Sequence, residues 1–186
     1  MADEFRLDCG ATWLNLLATK GQAFGARPVE RLATVDRLRE WLALTELTPA
    51  HPPGEADLRA AWRLRETLRP LAMATVTGAP PPAAEAAELS ELLAAAPDPV
   101  ELRAGGERLL RRPPPTTAAA LARIARQAVD QLTGPQRHDL AICPEHDCRG
   151  VFVNQGGRRR WCPSPACASR GRVRALRARR RAAPPD

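Results

Sequence analysis

Cys143, Cys148, Cys162 and Cys167 follow one another as C-x4-C-x13-C-x4-C. Two close cysteine pairs separated by a short arm match the needs of a tetrahedral metal site. Each pair offers two thiolates, and the arm folds back so that all four reach one ion at about 2.3 Å. Two disulfides are the competing reading, but the chain opens on the acidic Met1-Ala2-Asp3-Glu4, with no apolar stretch of the kind that directs secretion. Four free thiols would not be expected to fall in so symmetric an order. Structural zinc is therefore the expected cofactor. His146 lies inside the first pair and could stand in for one cysteine, although four thiolates already complete a closed site. Such a site leaves no position for water, so the metal is not expected to be catalytic. Cys9 stands far away and reads as a small buried residue.

Around these cysteines lie few apolar residues: Ile142, Val151, Phe152, Val153, Trp161, Val173 and Leu176. Hydrophobic burial alone cannot hold so small a unit, so metal binding must supply folding energy. Gly150-Val151-Phe152-Val153-Asn154, then Gln155-Gly156-Gly157, then Arg158-Arg159-Arg160-Trp161 read as strand, glycine turn and strand. Pro163 and Pro165 allow a tight turn, after which Cys167 should sit in the first turn of a helix reaching about Arg181. Val173 and Leu176 should pack that helix onto the hairpin. Trp161 reads as finger core, with base stacking as the other possibility. The unit is a treble-clef or zinc-ribbon-like finger over residues 138–183.

Charge follows the same division. The formal net charge is +7, and from Arg137 onward 12 arginines face 4 acids, so the remainder of the chain is close to neutral. A neutral body with a basic end points to a polyanionic partner for that end; an arginine-rich solubilising tail is the plainer reading. Arg170, Arg174, Arg177 and Arg181 form one stripe on the expected helix, with Arg172 beside them. Arg158, Arg159 and Arg160 make a second basic group. Guanidinium groups bind phosphate bidentately and can fork onto guanine edges, so these eight arginines are the candidate nucleic-acid contacts.

Residues 1–134 read as a helical domain. Thr34 or Asp36 can cap a helix bearing Leu38, Trp41, Leu42 and Leu47. His51-Pro52-Pro53-Gly54 breaks it, and a second helix carries Leu58, Ala61, Trp62, Arg65 and Leu68, to be ended or kinked at Pro70. A third spans Ala83 to Ala96; a short strand is expected near Val100-Glu101-Leu102. Thr116 or Thr117 caps a last helix through Leu132, which Gly134-Pro135 stops. Trp13, Trp41 and Trp62 read as core anchors. Asp8 and Asn15 read as helix caps, with a pocket lining as the alternative. The fold class is thus mainly α, with a helical domain followed by a small finger.

No phosphate loop, nucleophile elbow or His-Glu pair at helical spacing is present, and His51 and His138 are isolated, so an enzyme is not expected. No apolar run approaches the roughly 20 residues needed to cross a bilayer. A cytoplasmic protein without membrane contact is expected.

Phe152-Val153-Asn154, Arg159-Arg160-Trp161-Cys162 and a final cysteine heading an arginine-rich helix resemble the CGNR zinc finger. That module typically follows a helical domain called ABATE. Leu7-Asp8, Leu14-Asn15, Leu38 to Trp41-Leu42 and Leu64-Arg65-Glu66-Thr67-Leu68 resemble that domain. The resemblance implies a bacterial stress-associated transcription regulator whose finger binds double-stranded DNA. The helical domain would then sense a small-molecule effector or mediate homodimer formation. The alternative is an RNA- or ribosome-associated protein using the same finger. In place of the family's Cys-Gly-Asn-Arg stands Cys167-Ala168-Ser169-Arg170, and Arg149 replaces the glycine that usually follows the second cysteine.

Overall fold

A computed structural model describes the backbone of residues 4–96 and 100–182, and the side chains of these as far as Ala178. The chain order is α1 (Thr12–Ala18), β1 (Lys20–Gly21), β2 (Val29–Glu30), α2 (Val35–Leu44), α3 (Glu55–Thr77), α4 (Ala83–Ala95), β3 (Leu102–Gly105), β4 (Arg108–Arg111) and α5 (Thr117–Thr133). A 3-10 turn over Pro135–Asp139 then leads to β5 (Leu140–Ile142), β6 (Val151–Val153) and α6 (Pro165–Ala182). Among the described residues, three separate two-stranded antiparallel ribbons, β1–β2, β3–β4 and β5–β6, accompany the helices of this mainly helical chain.

The helix boundaries follow from local chemistry. Thr34 and Thr116 accept hydrogen bonds from the backbone N–H groups of Arg37 and Ala119, satisfying donors that α2 and α5 leave open. At the start of α3 Asp57 reaches back to the N–H of Gly54 at 2.8 Å. Gly78 ends the same helix in the left-handed conformation, at φ 69°.

Of the two outcomes the sequence suggests at Pro70, an end or a kink, the helix does not end there; it runs on to Thr77. A proline inside a helix costs about 3 kcal/mol. Leu68, Leu71, Ala72 and Ala74 are buried on either side of it, and tertiary packing of that face outweighs the lost hydrogen bond.

α3 is the central element, packed by α1, α2, α4 and α5. Trp13, Trp41, Leu14, Leu38 and Leu64 are fully buried there. Trp13 is fixed at both polar ends: Gln127 accepts from its backbone N–H, and Gln131 accepts from its indole N–H at 2.7 Å. The indole N–H of Trp62, a half-buried side chain, donates to the carbonyl of Leu32. Arg65 is buried on α3 and forks onto Glu30 at 2.7 and 2.5 Å, tying the β1–β2 ribbon to the helix. Asn15 is not a cap. It is buried within α1 and accepts the backbone N–H of Cys9 at 3.0 Å, which holds the N-terminal segment against the body.

That segment is also where body and finger meet. The N–H of Val153 donates to the carbonyl of Cys9 at 2.9 Å, and the N–H of Phe24 to that of Asp147 at 3.1 Å. Gly10, at φ 98°, lies so close to Val153 that an added Cβ would sit 2.5 Å from the valine Cβ. Val151 and Phe152 belong to the same buried cluster as Trp13 and Leu68, so one continuous core runs from the helices into the finger.

Candidate metal centre and basic face

β5 and β6 pair as Leu140 with Val153, Ala141 with Phe152 and Ile142 with Val151. This corrects the strand pairing read from the sequence, in which Val151–Val153 would pair with the segment after the glycines. Asn154 accounts for the difference. Its side chain accepts from the N–H of Arg159 and donates to the carbonyl of the same residue, both at 2.8 Å. The backbone N–H and carbonyl of Arg159, which a second strand would use for pairing, are thereby taken. Gly156 and Gly157, at φ 73° and 68°, curl the intervening residues into a single turn.

The first cysteine pair therefore sits at the tip of the β5–β6 ribbon. Cys143 N–H donates to Gly150, and the carbonyl of Glu145 accepts from both Cys148 and Arg149. The second pair comes from the loop before α6 and from its first turn, with Pro165 opening the helix and Cys167 buried. All four sulfurs lie within 4.8 Å of one another, and Cys148 and Cys162 are 3.7 Å apart. A tetrahedron with bonds of about 2.3 Å has edges of about 3.8 Å. A disulfide would need about 2.05 Å, and all five cysteines are free thiols. Hydrogen bonding from Cys148, Cys162 and Cys167 pulls the Cys143 thiol far below the usual thiol range. Four sulfurs this close would repel one another as thiolates without a divalent cation between them, and the soft, closed donor set suits zinc. His146 is not part of the cluster. Cys9 is outside it as well; burial, with Asp8 nearby, pushes its thiol up to about 12, so it stays protonated at neutral pH.

The chain's helical region, residues 10–135, matches the ABATE family, described as "putative stress-induced transcription regulator". The chain belongs to the ABATE family. Residues 140–180 match the CGNR zinc finger, so the four cysteines form the zinc site of that finger. No curated protein matches this ABATE chain. No helix among the described residues is long and apolar enough to cross a membrane.

The arginines of this ABATE protein's finger divide into two groups. Arg170 donates to Asp147 at 3.1 Å and approaches the sulfur of Cys167 at 3.6 Å. Arg174 donates to Glu145 at 2.6 Å, and Glu145 is only 2% exposed. Both therefore clamp α6 to the cysteine loop, a partner role that sequence reasoning missed. The signal was available: Glu145 and Asp147 are the only acids between the first two cysteines, and arginine at three positions after Cys167 is the part of the family motif kept here. Arg170 thus orients a metal ligand from outside the coordination sphere.

Arg158, Arg159, Arg160, Arg172 and Arg177 have exposed side chains and no carboxylate partner among the described residues. The Arg181 side chain and residue 183 lie outside the described residues. Arg160 lies over the Trp161 ring, 5.1 Å from its centroid. That ring lies on α6 at Gly171, where a Cβ would come within 2.4 Å of the indole nitrogen. Trp161 is thus the finger-core contact expected of it, and it seats the basic turn beside the arginine helix. Val173 and Leu176 do not pack on the ribbon; they are 45% and 50% exposed. The Glu145 and Asp147 ion pairs, Trp161 and the metal hold α6 instead.

Arg149 adopts φ 43°, the left-handed region that favours glycine. The family's glycine at this position is thereby explained, and its replacement costs about 1–2 kcal/mol of backbone strain. Arg149→Gly is expected to stabilise the zinc-loaded protein by about 0.5–1 kcal/mol, because the entropy glycine loses on folding offsets part of the relief. Thermal unfolding should shift upward by about 2 °C; a fall would show that the contact of Arg149 with Phe24, at 5.5 Å, outweighs the strain.

Proposed function

We propose that this chain is a DNA-binding transcription regulator of the cytoplasm and not an enzyme, with zinc as a scaffold ion. The contact of Trp161 with Gly171 carries the reading, because it brings two basic segments, distant in their local structure, onto one metal-braced unit. Arg158, Arg159, Arg160, Arg172 and Arg177 meet the phosphate backbone. Arg170 and Arg174, engaged by buried and half-buried acids, serve the finger's own geometry. The body, with the larger share of the core, hosts the response to a small molecule.

Five arginines on phosphates would make log K fall with log salt at a slope of roughly −4.5. Fluorescence anisotropy with duplex DNA across a salt series should show it. Arg172→Ala combined with Arg177→Ala is expected to flatten the slope by about 2 while leaving zinc content unchanged. Tighter binding of structured RNA than of duplex DNA in the same assay would replace this reading with an RNA-associated one. Absence of binding to either at low salt would remove both.

A further inference from the structure

A cavity of about 250 Å³ lies between the helical body and the finger. Leu17, Ala18 and Val29 wall it from the body, and Val151, Pro163 and Ala166 from the finger. Arg6, Lys20, Arg31, Arg69 and Arg170 also line it, and no aspartate or glutamate among the described residues does. The cations are not evenly spread. Arg170, on the finger side, is taken up by Asp147 and Cys167. The other four come from the N-terminal half of the chain, and Lys20 and Arg69 share a single carboxylate, Glu66. Glu66 also accepts from Arg65. Arg6 has no carboxylate partner among the described residues. The cavity wall therefore combines cationic side chains, four of the five from the N-terminal half, with apolar ones, and three cysteines of the metal centre lie in it.

From this arrangement we infer that the cavity binds a small organic monoanion, a carboxylate with a compact apolar body. The carboxylate faces Arg6 and Arg69, and the hydrocarbon lies against Val151, Pro163 and Ala166. The size fits: the cavity falls just below the range of drug-sized sites, and equals about eight water volumes. The chemistry fits too. Burial pulls the Arg69 guanidinium below its usual range, and Glu66 only partly offsets this, so an incoming anion supplies charge that the site lacks. A tetrathiolate zinc centre carries net negative charge, which orients the carboxylate away from the finger. Because Cys148, Cys162 and Cys167 are also in the wall, an occupant touches both the body and the scaffold that presents the arginines. The effect on DNA contact rests on the function proposed above; the binding itself does not.

The test uses the full zinc-loaded chain with benzoate as probe, benzamide as its neutral isostere, and inorganic phosphate. Benzoate is expected to raise the thermal midpoint and to bind measurably by calorimetry, while benzamide and phosphate do neither. Arg6→Gln should weaken benzoate by about tenfold or more, the usual effect of losing a charge-assisted hydrogen bond. Val29→Phe, which fills the cavity from one wall, should abolish binding with zinc content intact. Benzamide or phosphate binding as well as benzoate, no binding of benzoate, or unchanged affinity in Arg6→Gln would each overturn the inference. No nucleic acid is present, so failure here leaves the DNA reading standing, and failure of DNA binding leaves this result standing.

Discussion

Replacing Cys162 with serine is expected to release the zinc ion and melt α6 together with the cysteine loop. Zinc binding in small fingers supplies about 10–16 kcal/mol of folding free energy, and a closed site that loses one sulfur no longer holds the ion against water and chelators. The other contacts that hold α6, the Glu145 and Asp147 ion pairs and Trp161, come from the cysteine loops that melt with it. α6 is an 18-residue helix dense in arginine, and its two large apolar residues in the described part, Val173 and Leu176, face solvent. Most helix stability in proteins comes from packing of an apolar face, and α6 has little of that once the metal is lost. The loss also reaches the body, because Phe152, 1% exposed, is in the same buried cluster as Trp13. The variant should keep the circular dichroism of α1 to α5 but melt several degrees lower, and elemental analysis should find it metal-free. Full zinc occupancy in the variant would mean that the four sulfurs are not the ligand set. Treatment of the native chain with a strong chelator should give the same spectrum.

Replacing Arg65 with alanine should destabilise the body by about 3 kcal/mol, the low end for breaking a buried ion pair, since Glu30 retains partial contact with water. Arg65 is 2% exposed and donates to Thr19 at 2.9 Å as well as to Glu30. Its removal leaves the Glu30 carboxylate beside an apolar gap and frees the end of α1 from α3. In a chain of this size the thermal midpoint should fall by about 10 °C. Zinc content should stay unchanged, because no atom of Arg65 touches the finger's cysteines. Arg65→Met should recover part of the loss by refilling the gap, and Glu30→Gln in the same background should recover more by removing the orphaned charge. A drop of less than about 1 kcal/mol in denaturant titration would show that the fork contributes little beyond its hydrogen bonds.

The metal centre was legible from spacing alone, because a C-x4-C loop brings two sulfurs together through a turn of a few residues. The same is true of the helices: the caps at Thr34 and Thr116 and the apolar stripes of α2, α3 and α5 are encoded within one or two turns. The burial of Trp41 follows from the stripe of α2. The strand partner of Val151–Val153 was not legible, since both neighbouring segments could pair and the side chain of Asn154 decided between them. That α3 continues through Pro70 has a related reason: the local tendency of proline to end a helix is overridden by burial of residues on a distant surface.

A four-sulfur zinc finger behind a helical body can be read from the order of residues alone, because ligand spacing and helical periodicity are short-range properties. Which arginines are engaged, with Arg170 and Arg174 paired to Asp147 and Glu145, and where body and finger join, came out only on folding. Those outcomes depend on contacts such as Cys9 with Val153, which lie far apart in the chain and exist only once the whole core has closed. The cationic cavity is the clearest example, since its walls are drawn from both ends of the sequence and no segment contains it.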